Sequence, residues 1–187
     1  MKDHSVYVAL LEKHLSAKRL THSINVAEQA QLLAKLYGAD EEKAYFAGLL
    51  HDLCKEMDKD EQLQWIAKSD IILDSILQSQ PQVWHGMAAA AYLQLELNVT
   101  DKAIIDSVRY HTTARAGMTT LEEIIYIADI TSKDRDYPDV DEMRRLALTD
   151  LSQAMLAGLQ YNLTRLVQKG FTISQDTFNA YNYYIMK

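Results

Sequence analysis

The run FAGLLHDLCKEMDKDE, Phe46 to Glu61, ends an apolar segment on a histidine and an aspartate side by side. Imidazole and carboxylate are common metal donors, and a buried carboxylate is very costly unless it is paired or metal-bound. Two readings compete for the pair. Either His51 is a satisfied core histidine and Asp52 a helix-end carboxylate, or the two are the centre of a metal site whose other ligands lie elsewhere in the chain. The second reading has residues to draw on. Val26 follows His22 by four, Ala47 precedes His51 by four, Ala89 follows His85 by four, Ile104 and Val108 precede His111, and Ile125 precedes Asp129 by four. Side chains three and four apart share a helix face, so His22, His51, His85, His111 and Asp129 are expected to point inward. A lone inward histidine is ordinarily core, and His4 and His14 keep that reading. Four inward histidines with Asp52 and Asp129 form a donor set suited to iron, manganese, cobalt or zinc. The two oxygens of Asp52 could bridge two such ions.

Helices must position these groups, and helical periodicity appears nearly everywhere. Val26, Ala30, Leu33 and Tyr37 recur at three- and four-residue steps, and Gly38 is a stop signal. Asp40 is a plausible N-cap for the next helix, which runs through Ala44, Ala47 and Leu50 to His51. DEQLQWIAKS reads as another helix and Gln80-Pro81-Gln82 as a loop. WHGMAAAAYLQLEL is a strong helix, Thr100 is the expected cap of DKAIIDSVRYH, and Thr120 with Glu123 the expected capping box of LEEIIYIADIT. Ser132 to Asp139 makes a second loop, and two or three further helices close the chain. No repeat, low-complexity tract or linker is found. The expectation is one all-α domain over 1–187, with the motifs in 19–137 and carboxy-terminal helices in 140–187.

Composition narrows the function classes. The 187 residues are 48% hydrophobic and 24% charged, as in ordinary globular domains. No run approaches 18 consecutive apolar residues, and MKDHSVYVALLEKHL does not read as a signal peptide. A single cysteine, Cys54, excludes an intramolecular disulfide and agrees with a cytoplasmic setting. It is read as a core thiol. The net charge of −7 with no dense Lys/Arg window argues against extended nucleic-acid binding. A compact phosphate ligand needs only a few local cations, bound metal included. No GxxxxGK[ST] loop and no nucleophilic Ser or Cys with a histidine partner is found.

RLTHSINVA, AGLLHDLCK, WHGMAAAA, YHTTARAGM and IIYIADITSKDRDYP fall in the order H…HD…H…H…D. That order resembles the HD-domain metal-dependent phosphohydrolases, and within them the bacterial symmetrical bis(nucleosyl)-tetraphosphatases, from about Arg19 to Asn182. The resemblance implies an all-α helical bundle that hydrolyses diadenosine tetraphosphate to two ADP with metal-activated water. It implies His22, His51, Asp52 and Asp129 as ligands of an iron-type metal, with manganese or cobalt as alternatives. His85 and His111 would either hold a second ion or bond the phosphate. Asp52 and Lys55 take the catalytic roles. Arg19, Lys55, Thr112 and Arg135 match phosphate-holding positions, His22, His85, His111 and Asp129 also face the substrate, and Thr177 is the expected polar contact from the tail. The sequence departs from the family at Ala114, where Gly is usual, near Ser132 and Lys133, where Glu-Pro is usual, and at Tyr181, where Arg is usual.

Each secondary residue has a plainer reading. Lys55 could be a helix-end cation, Arg135 a solvated loop residue, and Arg19 a surface ion-pair partner. The tail YNYYIM reads as a packing or dimer surface. Expected partners are a dinucleoside polyphosphate or nucleotide and a second copy of the chain, with no membrane. The rival readings are a nucleotide 5′-phosphohydrolase, a guanosine alarmone hydrolase, a metal-dependent nucleotide-binding regulator without turnover, and a structural helical protein.

Overall fold

The computed structural model describes residues 4–187, so Met1 to Asp3, the start of the run read above as no signal peptide, lie outside the described residues. Every regular element among the described residues is a helix. They are α1 (Ser5–His14), α2 (Ala17–Tyr37), α3 (Glu41–Leu50), α4 (Lys59–Ala67), α5 (Ser75–Gln78) and α6 (Trp84–Leu95). There follow α7 (Lys102–Arg109), α8 (Thr120–Thr131), α9 (Val140–Thr149), α10 (Leu151–Gln168) and α11 (Gln175–Met186). None is long and apolar enough to cross a membrane.

The punctuation expected at Gly38 and Asp40 is present. Gly38 takes a left-handed φ of 68° at the end of α2, a conformation open to glycine at no steric cost. The Asp40 side chain accepts from the Lys43 amide at the start of α3. Two caps fall one residue from their expected places. Asp101, not Thr100, caps α7 by accepting from the Ala103 amide at 3.0 Å. At α8 the capping box is Thr119 with Glu122, not Thr120 with Glu123. The reason is tertiary: Glu123 accepts from the Tyr184 hydroxyl of α11 at 2.5 Å, while Arg115 holds Glu122 at 2.6 Å.

Helices α3 and α8 pack on each other and each on both α2 and α7, α6 lies on α7, α4 on α6, and α8 also carries α9 and α10. Ile124, Ile125, Tyr126, Ile127 and Ala128 together cover every side of α8 and are fully buried, as expected for a helix surrounded by others. Ala27, Ala30, Ala44 and Ala47 are buried as well, and such small side chains let α2 and α3 approach closely. Ala114 adopts φ 55°, a left-handed value uncommon outside glycine, at the position where the resemblance expects Gly.

Candidate metal centre

His51 and His111 do not sit within helices. Each lies just beyond a helix carboxy-terminus, His51 after Leu50 and His111 after Tyr110. The last carbonyls of a helix have no intrahelical partner, and each ring uses one three residues back. His51 Nδ1 donates to Gly48 O at 2.7 Å, and His111 Nδ1 donates to Val108 O at 2.7 Å. A carbonyl only accepts, so the proton is on Nδ1 and Nε2 presents a lone pair. The same device is repeated on α2 by a side chain: His22 Nδ1 donates to Asp134 Oδ2 at 2.8 Å.

These lone pairs converge on two carboxylates, the buried Asp52 and the part-buried Asp129. His22 Nε2 lies 2.9 Å and His51 Nε2 3.8 Å from Asp129 Oδ1. Asp52 divides its oxygens between two groups. Its Oδ2 is 3.0 Å from Arg19 Nη1, 3.6 Å from His51 Nε2 and 4.0 Å from His22 Nε2. Its Oδ1 is 3.2 Å from His85 Nε2 and 3.7 Å from His111 Nε2. His51 Nε2 is buried with no hydrogen-bond partner. Lone pairs aimed at carboxylate oxygens need a cation between them, and the donors His22, His51 and Asp129, or His51, Asp52 and His111, lie within 4.8 Å of one another. The arrangement therefore fits a divalent ion.

The electrostatics follow from burial and pairing. Burial pushes the His51 and His85 imidazolium values down to about 4, against the pull of Asp52. Burial alone would raise the Asp52 carboxyl, but His51 and its hydrogen-bonding histidine neighbours hold it well below the usual range. Asp129 is likewise held low, by Arg135 and His22, despite burial. For His22, burial is outweighed by Asp129, and the value is raised. Cys54 is buried with its thiol pushed up by burial, so the core reading stands.

The expected cations gather here too. Lys55 Nζ is 3.2 Å from His85 Nε2, Arg19 pairs with Asp52, and the Arg135 guanidinium holds Asp129 twice, Nη2 donating to the carboxylate and Nε to the backbone carbonyl at 2.6 Å. Thr112 and Thr177 stand apart, on the wall of an adjoining cleft of about 290 Å³. Thr112 Oγ1 is buried and unpartnered. The Thr177 hydroxyl donates to Thr113 O at 2.8 Å and so ties α11 to that wall. Tyr184 of the tail is buried against α8.

Three residues that sequence reasoning missed organise the loop after α8. Asp134 accepts from His22 and from Asn25 Nδ2 at 2.9 Å. Arg144 of α9 donates to Thr131 O, Ser132 O and Arg135 O at 3.1, 3.0 and 2.8 Å. That clamp holds Asp134 and Arg135 in place. Asn25 three residues after His22 was the available signal, since both then share a face.

A model of the HD domain family matches residues 19–134. The chain is 38% identical to a symmetrical bis(5′-nucleosyl)-tetraphosphatase of Bacillus subtilis (strain 168), with 95% of each chain covered. It is 34% identical to the Staphylococcus aureus (strain NCTC 8325 / PS 47) protein of the same description, covering 94% of this chain and 91% of that one. Among solved structures, an HD superfamily hydrolase of Clostridium acetobutylicum, described as involved in NAD metabolism, superimposes with a TM-score of 0.95 at 31% identity. The match covers 100% of this chain and 98% of that one.

Proposed function

The chain belongs to the HD-domain family, and from that membership we infer that it is a symmetrical bis(5′-nucleosyl)-tetraphosphatase, hydrolysing diadenosine tetraphosphate to two ADP. The observation that carries this reading is Asp52, whose two oxygens face two groups of histidines. His22, His51, Asp52 and Asp129 are the residues that would hold the divalent ion, with iron first and manganese or cobalt as substitutes. His85 and His111, beside Asp52 Oδ1, meet the phosphate or take a second ion. A divalent ion in this donor set supplies Lewis acidity, polarising a phosphoryl oxygen and lowering the pKa of water.

The chain's own groups do the rest. The water oxygen bonds to one inner phosphorus, the bond from that phosphorus to the central bridging oxygen breaks, and the departing ADP keeps the bridging oxygen. Lys55, held beside His85, donates to phosphate oxygens. Arg19 and Arg135 are oriented by Asp52 and Asp129 and offset charge on the flanking phosphates, a role suited to the guanidinium fork. Thr112 Oγ1, buried without a partner, supplies a neutral contact. Purified protein with ferrous, manganous or cobalt ion should give ADP alone from diadenosine tetraphosphate. ATP plus AMP would indicate asymmetric cleavage and sink the reading, and release of inorganic phosphate from mononucleotides alone would favour the 5′-phosphohydrolase.

Two supporting variants have definite expectations. Asp134→Asn keeps the shape but weakens the acceptor that orients His22, and loss of such an outer partner costs about 10–100-fold in metal affinity. Metal titration checks it, and unaltered affinity would remove His22 from the ligand set. Gly86 of α6 lies against the His111 ring: a Cβ there would stand 3.1 Å from His111 Cε1 and 3.2 Å from the Arg109 carbonyl. Gly86→Ala must therefore shift the ring or the helix, and since small misplacements cost heavily, turnover should fall about tenfold. Full turnover would show that the position of His111 is not critical.

A further inference from the structure

The centre opens on two clefts. One, of about 290 Å³, is lined by His111, Asp129, Thr112, Lys169 and Phe171 among others. The other, of about 490 Å³, is lined by His22, Lys18, Arg19, Asp134 and Asp136. Four residues belong to both: Arg135, Tyr137, Tyr161 and Arg165. Tyr137 and Tyr161 are stacked, with centroids 4.6 Å apart and planes inclined by 28°, and Arg165 stands 5.4 Å from the Tyr161 ring centre. The Tyr137 hydroxyl donates to Ile130 O at 2.9 Å, which fixes the stack to the end of α8. The stacked pair thus borders both clefts, each of which also includes metal-type donors, His111 and Asp129 in one and His22 in the other.

Charge separates these clefts from the rest of the surface. The chain carries a net −7, yet the larger cleft gathers Lys18, Arg19, Arg135 and Arg165 against only Asp134 and Asp136. Asp134 is already engaged by His22 and Asn25. A cation-rich cleft walled by aromatic rings suits a phosphorylated nucleoside, with charge-assisted bonds to the phosphates and a ring face for the base. The volumes, about 290 and 490 Å³, sit near the lower part of the ~300–1,000 Å³ range of small-molecule sites. The shared residues Tyr137, Tyr161 and Arg165 lie beyond residues 19–134 that the family model matches.

We propose that the cleft between Lys18 and Arg165 is a second nucleotide subsite. It takes one nucleoside diphosphate half of the substrate while the other half occupies the cleft toward Lys169 and Phe171, on the far side of the Tyr137–Tyr161 stack. The inference rests on the tetraphosphatase reading. A symmetrical substrate has two equal halves, and holding one on each side of the stack brings the middle of the polyphosphate to the centre between them. Symmetrical cleavage then follows from where the two halves are gripped.

ADP binding to the metal-loaded protein, counted by calorimetry, tests the subsite apart from turnover. Two ADP per chain are expected, falling to one in Lys18→Glu and to one in Lys169→Glu, both exposed positions whose reversal leaves the core untouched. With diadenosine tetraphosphate, Lys18→Glu should raise KM by about tenfold, the weight of one charge-assisted contact, with kcat within about twofold. One ADP per chain in the unsubstituted protein, or two that Lys18→Glu leaves in place, overturns the second subsite. If the unsubstituted protein releases two ADP from the tetraphosphate in either case, the tetraphosphatase reading stands. If it does not, that reading falls, and the ADP count still decides the subsite.

Discussion

Asp52→Asn should lower the hydrolysis of diadenosine tetraphosphate by at least ~10³-fold and strip the protein of bound metal. Metal-derived charge stabilisation in a phosphoryl transition state is worth several kcal/mol, and each ~1.4 kcal/mol is tenfold in rate. Asp52 is 3% exposed and faces both histidine groups, with Oδ2 toward His22 and His51 and Oδ1 toward His85 and His111. Asparagine keeps the shape and supplies one neutral oxygen, and its amide nitrogen meets either lone pairs or Arg19. The carboxylate also offsets Arg19 and Lys55, so the metal-free variant should melt lower as those cations lose their partner. Turnover by product chromatography and metal by elemental analysis read the two effects, with circular dichroism confirming the helical fold. A folded variant with unchanged activity and metal content would end the metal reading.

In the metal-free protein, stability should fall as the pH drops from about 6.5 to about 4. His51 and His85 gain a proton near 6.5 in an unfolded chain but only near 4 in the fold, where burial opposes the charge. Across that window the unfolded state binds more protons, so folding loses up to about 3 kcal/mol for each imidazole. His22 runs the other way. Its raised value contributes stability that is full below the unfolded value and lost as pH rises through the folded one. Asp52 and Asp129, both held low, keep their contribution above the unfolded carboxylate value of about 4 and lose it as pH falls through their folded values. The His22 change therefore lies above about 6.5 and does not offset the loss from His51 and His85 below it, so the net effect between about 6.5 and about 4 is destabilising. Added metal should steepen the loss, since proton and metal compete for the same nitrogens. Urea melts between pH 8 and 4.5, with and without metal, check this. A flat metal-free profile would mean that His51 and His85 are not held neutral in the core.

Much of this was legible in the chain. The spacing of Val26, Ala47, Ala89, Val108 and Ile125 around the polar groups showed which faces are buried, because a helix repeats every 3.6 residues whatever it packs against. His22, His51, His85, His111 and Asp129 could be selected on that basis and Asp52 by its place beside His51, and the order of the motifs pointed to the family. Local signals were weaker at the caps. Thr119 displaced Thr120 because Tyr184, sixty-one residues away, claims Glu123.

The sequence by itself determined that the protein is helical and that four histidines and Asp129 face inward, since both depend on near neighbours along the chain. Only the tertiary structure decided how the donors divide. The two oxygens of Asp52 separate His22 and His51 from His85 and His111 because α2, α3, α6 and α7 approach it from different sides. Asp134, 112 residues from His22, lies in a loop without periodicity, where position is set by the Arg144 clamp. Tyr137 and Tyr161 stack across a loop and a helix, and no pattern in either segment announces it. Faces are written locally in the chain, and which faces meet is settled by packing.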